Sequence, residues 1–197
     1  NDGTAATSGN LGVTVMMSGG SAGGGSEFQV NTFTQYSQAR PSVTTLSDGG
    51  FLVVWDTYDP DGGDYEVFGQ RYDASGAPAG SEFQVNSYTQ SDQRFASVAA
   101  LPDDGFVVTW ESYGQDGSST GILGQRYDAS GAPAGSEFQV NSYTTANQVN
   151  PSVTAMSDGG FVMTWESWFQ DGEGYGVFGQ RYDVSGTPLG SDFQVNT

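Results

Sequence analysis

The chain contains no cysteine and no histidine, and its five basic residues (Arg40, Arg71, Arg94, Arg126 and Arg181) are all arginine. Without cysteine there are no disulfides, thiolate metal sites or cysteine nucleophiles. Without histidine the commonest general base and the commonest transition-metal ligand are missing. With no lysine and 23 acidic residues, the net charge is −18. Such a surface repels phosphate backbones and anionic lipid heads, so no nucleic acid and no direct membrane insertion are expected. No run of 18 apolar residues occurs, so no stretch reads as a spanning helix. Leu11 to Met17 is too short, and lacks the basic flank, for a signal peptide. Helical periodicity is absent throughout.

What is present is a repeat. Glu-Phe-Gln-Val-Asn begins at Glu27, Glu82 and Glu137, and a variant begins at Asp192, each 55 residues after the last. Trp55, Trp110 and Trp165 keep that period, as do Phe51, Phe106 and Phe161. Residues Gly69 to Thr89 are identical to Gly124 to Thr144. A fixed period in this range signals stacked or circularly arranged supersecondary units.

Each unit reads as four short strands. The first is Ser42 to Leu46. A turn at Asp48-Gly49-Gly50 leads to the second, Phe51 to Tyr58, whose apolar start predicts burial on both faces. An acidic loop, Asp59 to Asp64, precedes the third, Tyr65 to Asp73. The turn Ala74 to Gly80 leads to the fourth, Glu82 to Asn86. Phe51, Val53, Trp55, Phe68, Tyr72, Phe83 and Val85, with their copies, are the expected core. Two hairpins per unit favour an all-β repeat protein of four-stranded antiparallel, β-propeller-like blades, three and a half in number. A stacked-sheet or β-solenoid array is the alternative. The divisions are a flexible N-terminal segment with a degenerate half-unit (1–26), repeats at 27–81 and 82–136, and a third repeat with closing strand at 137–197. A shift of 55 places Val13 beneath Phe68 and Met17 beneath Tyr72.

The motifs Asp-Gly-Gly-Phe-x-Val-x-Trp, Gly-Gln-Arg-Tyr-Asp and Glu-Phe-Gln-Val-Asn resemble repeats of very large secreted proteins of Gram-negative bacteria. Those proteins often carry calcium-binding RTX repeats and leave the cell by type I secretion. The resemblance covers residues 27 to 197. It implies a secreted or cell-surface setting and no catalysis. The Gly-Gly-x-Gly-x-Asp nonapeptide of RTX coils is missing here.

Three groups of residues are candidate sites. Asp56, Asp59, Asp61, Asp64 and Glu66, around Gly62 and Gly63, offer oxygen ligands for calcium, the one cofactor that the composition suggests. Asp116 and Asp171 recur with Asp61. A plain Asp-Gly turn explains the same residues. Secondly, Arg71, Arg126 and Arg181 recur mid-strand, and Asp56, Glu111 and Glu166 recur after each tryptophan. These are expected to form an ion pair inside each blade. Thirdly, Asn31, Phe33 and Gln38, then Asn86, Tyr88 and Gln93, then Asn141, Tyr143 and Gln148, combine an aromatic with amides, as glycan binding requires. Packing between units requires similar residues. Tyr58, Tyr113 and the pair Trp168-Phe169 add exposed aromatics.

Each acid that would be chosen for glycoside hydrolysis is read as having a counterpart in the other units, so no enzyme is expected. The leading expectation is a structural or adhesive module that joins a homo-oligomer, a filament, or further repeats of a parent chain. A lectin-like, carbohydrate-binding propeller is the alternative, and an acid-only glycoside hydrolase the second.

Overall fold

The computed structural model describes residues 12–13, 27–59, 62 and 64–196. Its elements are all strands. Two short ones, β1 (Gly12–Val13) and β2 (Phe28–Gln29), form a two-stranded sheet. The first full sheet holds β3 (Gln38–Thr45), β4 (Phe51–Asp59), β5 (Asp64–Tyr72) and β6 (Phe83–Gln84). The second holds β7 (Gln93–Ala100), β8 (Phe106–Tyr113), β9 (Thr120–Tyr127) and β10 (Phe138–Gln139). The third holds β11 (Gln148–Ala155), β12 (Phe161–Trp168), β13 (Tyr175–Tyr182) and β14 (Phe193–Gln194). Every pairing is antiparallel between neighbours in sequence, the meander of a propeller blade. Each blade takes its fourth strand from the start of the next 55-residue repeat.

Local chemistry sets the turns. Leu46 N–H donates to Gly50 O at 2.8 Å, and Gly49 closes the hairpin at φ +84°. A Cβ on Gly50 would meet Tyr72 O at 2.2 Å, so a side chain there would push two strands apart. The first strand of every blade carries a β-bulge, between Ala39 and Ser42, Arg94 and Ser97, and Val149 and Ser152. Arg40, Phe95 and Asn150 sit there at φ of 51°, 56° and 55°. Left-handed φ is costly for these residues, so something outside the strand must hold each bulge.

The second strand of a blade presents different side chains to its two neighbours. Phe51, Val53 and Trp55 pack with Val30, Tyr72 and Phe28. Leu52 and Val54, on the opposite face, join Phe106, Val108 and Trp110 of the second blade. The pattern repeats between the second blade and Phe161, Met163 and Trp165 of the third. Burial on both faces is thus why these strands read as unbroken apolar runs. The expected core is buried in the first two blades, apart from Phe68, Phe83 and Phe138, which are half-buried. In the third blade Phe193 and Val195 are exposed, because among the described residues no further sheet covers them.

The N-terminal pair differs from the expected offset. Gly12 faces Gln29 and Val13 faces Phe28, whereas Phe68 faces Gln84 and Gly69 faces Phe83. Gly12, not Val13, therefore stands where Phe68 does. A fixed shift of 55 cannot register a one-residue change of length inside a degenerate unit. Met17 lies outside the described residues.

Candidate functional site

The recurrent acids after each tryptophan do not pair with the mid-strand arginines. Arg71, Arg126 and Arg181 instead meet the turn acids of their own blades, Asp48 at 3.8 Å, Asp103 at 3.0 Å and Asp158 at 3.4 Å. Arg71 also donates to Ala129 O of the next blade at 2.8 Å. The expected pairing fails because register sets Leu52, not Asp56, opposite Arg71. Asp56 faces the following blade. Its Oδ2 accepts from Phe95 N–H at 3.1 Å and from Arg40 at 3.0 Å. Glu111 does the same one blade on, accepting from Asn150 N–H at 2.7 Å. These carboxylates hold the left-handed bulges of their neighbours. Burial pushes the Asp56 carboxyl up to about 6, against the Phe95 N–H and Arg40. Burial, opposed by the Asn150 N–H and reinforced by the charge of Asp56, pushes Glu111 up to about 7. Glu166 is half-buried, and among the described residues no bulge follows it.

The amides of the glycan set are structural. Asn31 donates to Phe33 O at 2.6 Å and to Gln38 Oε1 at 3.3 Å. Asn86 accepts from Val67 N–H and donates to Tyr88 O. Gln93 accepts from the Trp110 indole at 3.0 Å. Asn141 accepts from Ile122 N–H and donates to Tyr143 O and to Gln148 Oε1. All six amides are buried. Of the aromatics in this set, Phe33 is exposed, while Tyr88 and Tyr143 are half-buried.

Four of the acids proposed for calcium are engaged too, Asp56 as described above. Asp64 accepts from Ser91 N–H at 3.1 Å. Asp116 accepts from Ser118 N–H, and Asp171 accepts weakly from Glu173 N–H at 3.4 Å. Among the described residues, no group of three or more acids converges on a metal position. Asp61 lies outside them.

A cleft opens on the first blade alongside this lattice. It has a volume of about 480 Å³ and is lined by Phe33, Tyr58, Phe68, Glu66, Glu82 and Gln84, together with Thr57, Gly62 and Thr89. Phe33 reaches it from the link between β2 and β3. Tyr58 comes from the end of β4, Glu66 and Phe68 from β5, and Gln84 from β6. The rings continue outward, with Phe33 6.5 Å from Tyr36 and Tyr36 6.2 Å from Tyr58. Glu66 Oε2 accepts from Gln84 at 3.2 Å and also from Asn86. Glu82 accepts from Thr32 N–H.

In the second blade this space is filled. Gln115 accepts from Ser112 Oγ at 2.8 Å and donates to Glu137 Oε1 at 2.6 Å. Ser112 and Glu137 are the counterparts of Thr57 and Glu82, so the Gln115 side chain spans the cleft. Its counterpart in the first repeat is Pro60, which has no amide to offer. Glu66 also breaks the symmetry, because its counterparts are Gly121 and Gly176. A Cβ on Gly121 would meet Asp116 Oδ2 at 2.7 Å, and one on Gly176 would meet Asp171 Oδ2 at 2.6 Å. In those blades the loop aspartate supplies the carboxylate that Glu66 supplies in the first. Asp171 accepts from Gln194, as Glu66 accepts from Gln84. The acidic loop of the first unit offers Glu66 as a calcium ligand, and the alignment of the three units places it, with Pro60, where the repeat is broken.

No family model matches the chain, and no curated protein matches it. Solved structures do. An endo-arabinase from Bacteroides thetaiotaomicron is 13% identical with a TM-score of 0.54, over 86% of this chain and 66% of that one. A Hadza microbial sialidase is 12% identical with a TM-score of 0.58, over 81% of this chain and 37% of that one. A fucose lectin from Kordia zhangzhouensis is 10% identical over 80% of this chain and 98% of that one, a looser likeness at a TM-score of 0.46. The chain thus spans about two thirds of the endo-arabinase and just over a third of the sialidase. The first two likenesses support a β-propeller-like architecture. They also correct the expectation that the chain is no enzyme, since this architecture is shared with carbohydrate-active enzymes. The symmetry argument behind that expectation fails at Glu66.

Proposed function

We propose that the protein is a carbohydrate-binding propeller module whose ligand seat is the cleft of the first blade. One observation carries the reading: a cleft lined by aromatics and carboxylates is open in the first blade, whereas Gln115 bridges the same position in the second. Phe33 and Tyr58 offer ring faces for the apolar side of a sugar. Glu66, Glu82 and Gln84 offer acceptors and an amide for hydroxyls. No arginine is among the residues lining the cleft, and the net charge is −18. A sialic or uronic acid is therefore disfavoured, and a neutral sugar fits.

The test is a glycan array followed by titration calorimetry with the neutral sugars it identifies. Phe33→Ala removes an exposed ring and is expected to weaken binding by about tenfold, the upper range for one lost ring contact, with Tm unchanged. Pro60→Gln introduces the glutamine of the second blade and is expected to reduce binding further. Failure to bind any neutral glycan, or indifference to both substitutions, overturns the reading.

A second reading rests on Glu66 and Glu82 lining one cleft. Glycoside hydrolysis uses two carboxyls, one to protonate the leaving oxygen and one to activate water or attack. Release of reducing ends from a bound glycan, abolished by Glu82→Gln with binding retained, would establish turnover. Binding without release leaves a lectin.

A further inference from the structure

The outer face of the third blade repeats, group by group, the face by which each earlier blade holds its successor. Asp56 and Glu111 cap the bulge N–H of the blade that follows, and Glu166 stands at the same position. Ser42 Oγ and Ser97 Oγ accept from Val98 N–H and Val153 N–H of the next blade, both at 3.3 Å, and Ser152 is their counterpart. Val67 and Ile122 are fully buried in those interfaces, whereas Val177 is 36% exposed. Val85 and Val140 are 5% exposed, whereas Val195 is 53% exposed.

The fourth strands state the deficit as a count. Phe28 of β2 lies against the stacked pair Phe51–Tyr72, and Phe83 of β6 against Phe106–Tyr127. Phe138 of β10 lies against Tyr182, which stacks on Phe161. Four fourth-strands thus face three receiving Phe–Tyr pairs. Phe193 of β14 has no receiver among the described residues and is 42% exposed. Among the described residues a second copy of the chain brings no vacant receiver, because β2, β6 and β10 already fill all three.

We infer that the outer face of the third blade is a docking seat for a further blade of the same repeat type. That blade presents a stacked Phe–Tyr pair to Phe193, a left-handed bulge N–H to Glu166, and a strand N–H to Ser152. The seat continues an interface that the chain makes twice within itself, between its first and second and its second and third full blades.

The experiment compares the 197-residue chain with one carrying residues 143–197 a second time, appended in phase. The longer chain is expected to melt in a single transition several degrees higher. Glu166→Ala is expected to leave the Tm of the shorter chain unchanged. In the longer chain it removes the acceptor for the added bulge N–H and is expected to lower Tm as much as Glu111→Ala does. An added repeat that stays unfolded, melts by itself, or leaves Glu166→Ala silent overturns the inference. So does concentration-dependent dimerisation of the shorter chain that Val177→Asp abolishes, since the seat would then serve a second copy.

Discussion

Acidification should stabilise this protein over a window where many proteins are indifferent, and two buried carboxyls set the size of the effect. Asp56 is held at about 6 in the fold, against an ordinary 3.8. Glu111 is held at about 7, against 4.5. Both shifts are upward, so the folded state binds more protons than the unfolded chain between the two values of each pair. Stability is then highest below the unfolded value and is lost as pH rises through the folded one. At about 1.4 kcal/mol per tenfold change in proton affinity, the Asp56 difference corresponds to roughly 3 kcal/mol as an upper bound. The contribution of Glu111 is similar in sign, and the two are not additive because each charge raises the other. Asp73, Asp128 and Asp183 are lowered by hydrogen bonds from Ser75, Ser130 and Ser185 and from turn N–H groups, and act in the opposite sense only below the ordinary carboxylate range. Urea unfolding followed by tryptophan fluorescence should therefore show a midpoint that rises from about pH 8 to pH 5. Relief of general repulsion at a net charge of −18 adds to that slope. The double variant Asp56→Asn, Glu111→Gln keeps nearly all of that general term and loses the specific one. Equal slopes in the variant and the original chain would refute the assignment of these carboxyls as buried bulge caps.

Trp110 is fully buried between the first two blades and hydrogen-bonds Gln93. Trp110→Ala should cost about 3–5 kcal/mol in urea unfolding, the usual range for a deleted core aromatic. Gly50→Ala should lower Tm sharply because its Cβ meets the Tyr72 carbonyl at 2.2 Å, whereas Gly80→Ala, with no atom within 4 Å but φ at +95°, should cost only about 1 kcal/mol of backbone strain. Asp64, Asp116 and Asp171 already accept from turn and loop N–H groups, so a chelator should leave Tm unchanged. A rise in Tm with added calcium would restore a metal site to the first acidic loop.

The sequence alone determined the unit and its strands. A period of 55 without insertions repeats the turns, the tryptophans and the doubly apolar second strands in every unit, and strand identity follows from local alternation and turn chemistry. Recurrence also marked Asp56, Glu111 and the arginines as important, but not whom they touch. Partners across a sheet depend on register, which set Leu52 opposite Arg71, and partners between blades depend on how the sheets stack, which brought Asp56 to the bulge at Phe95. The cleft was hidden for a related reason. It depends on Glu66, which departs from the repeat, and on the reach of the Gln115 side chain between Ser112 and Glu137 in the neighbouring blade, a glutamine that the first repeat lacks. Whether a repeated position is filled or open is a matter of side-chain volume in three dimensions, and only the tertiary structure decides it.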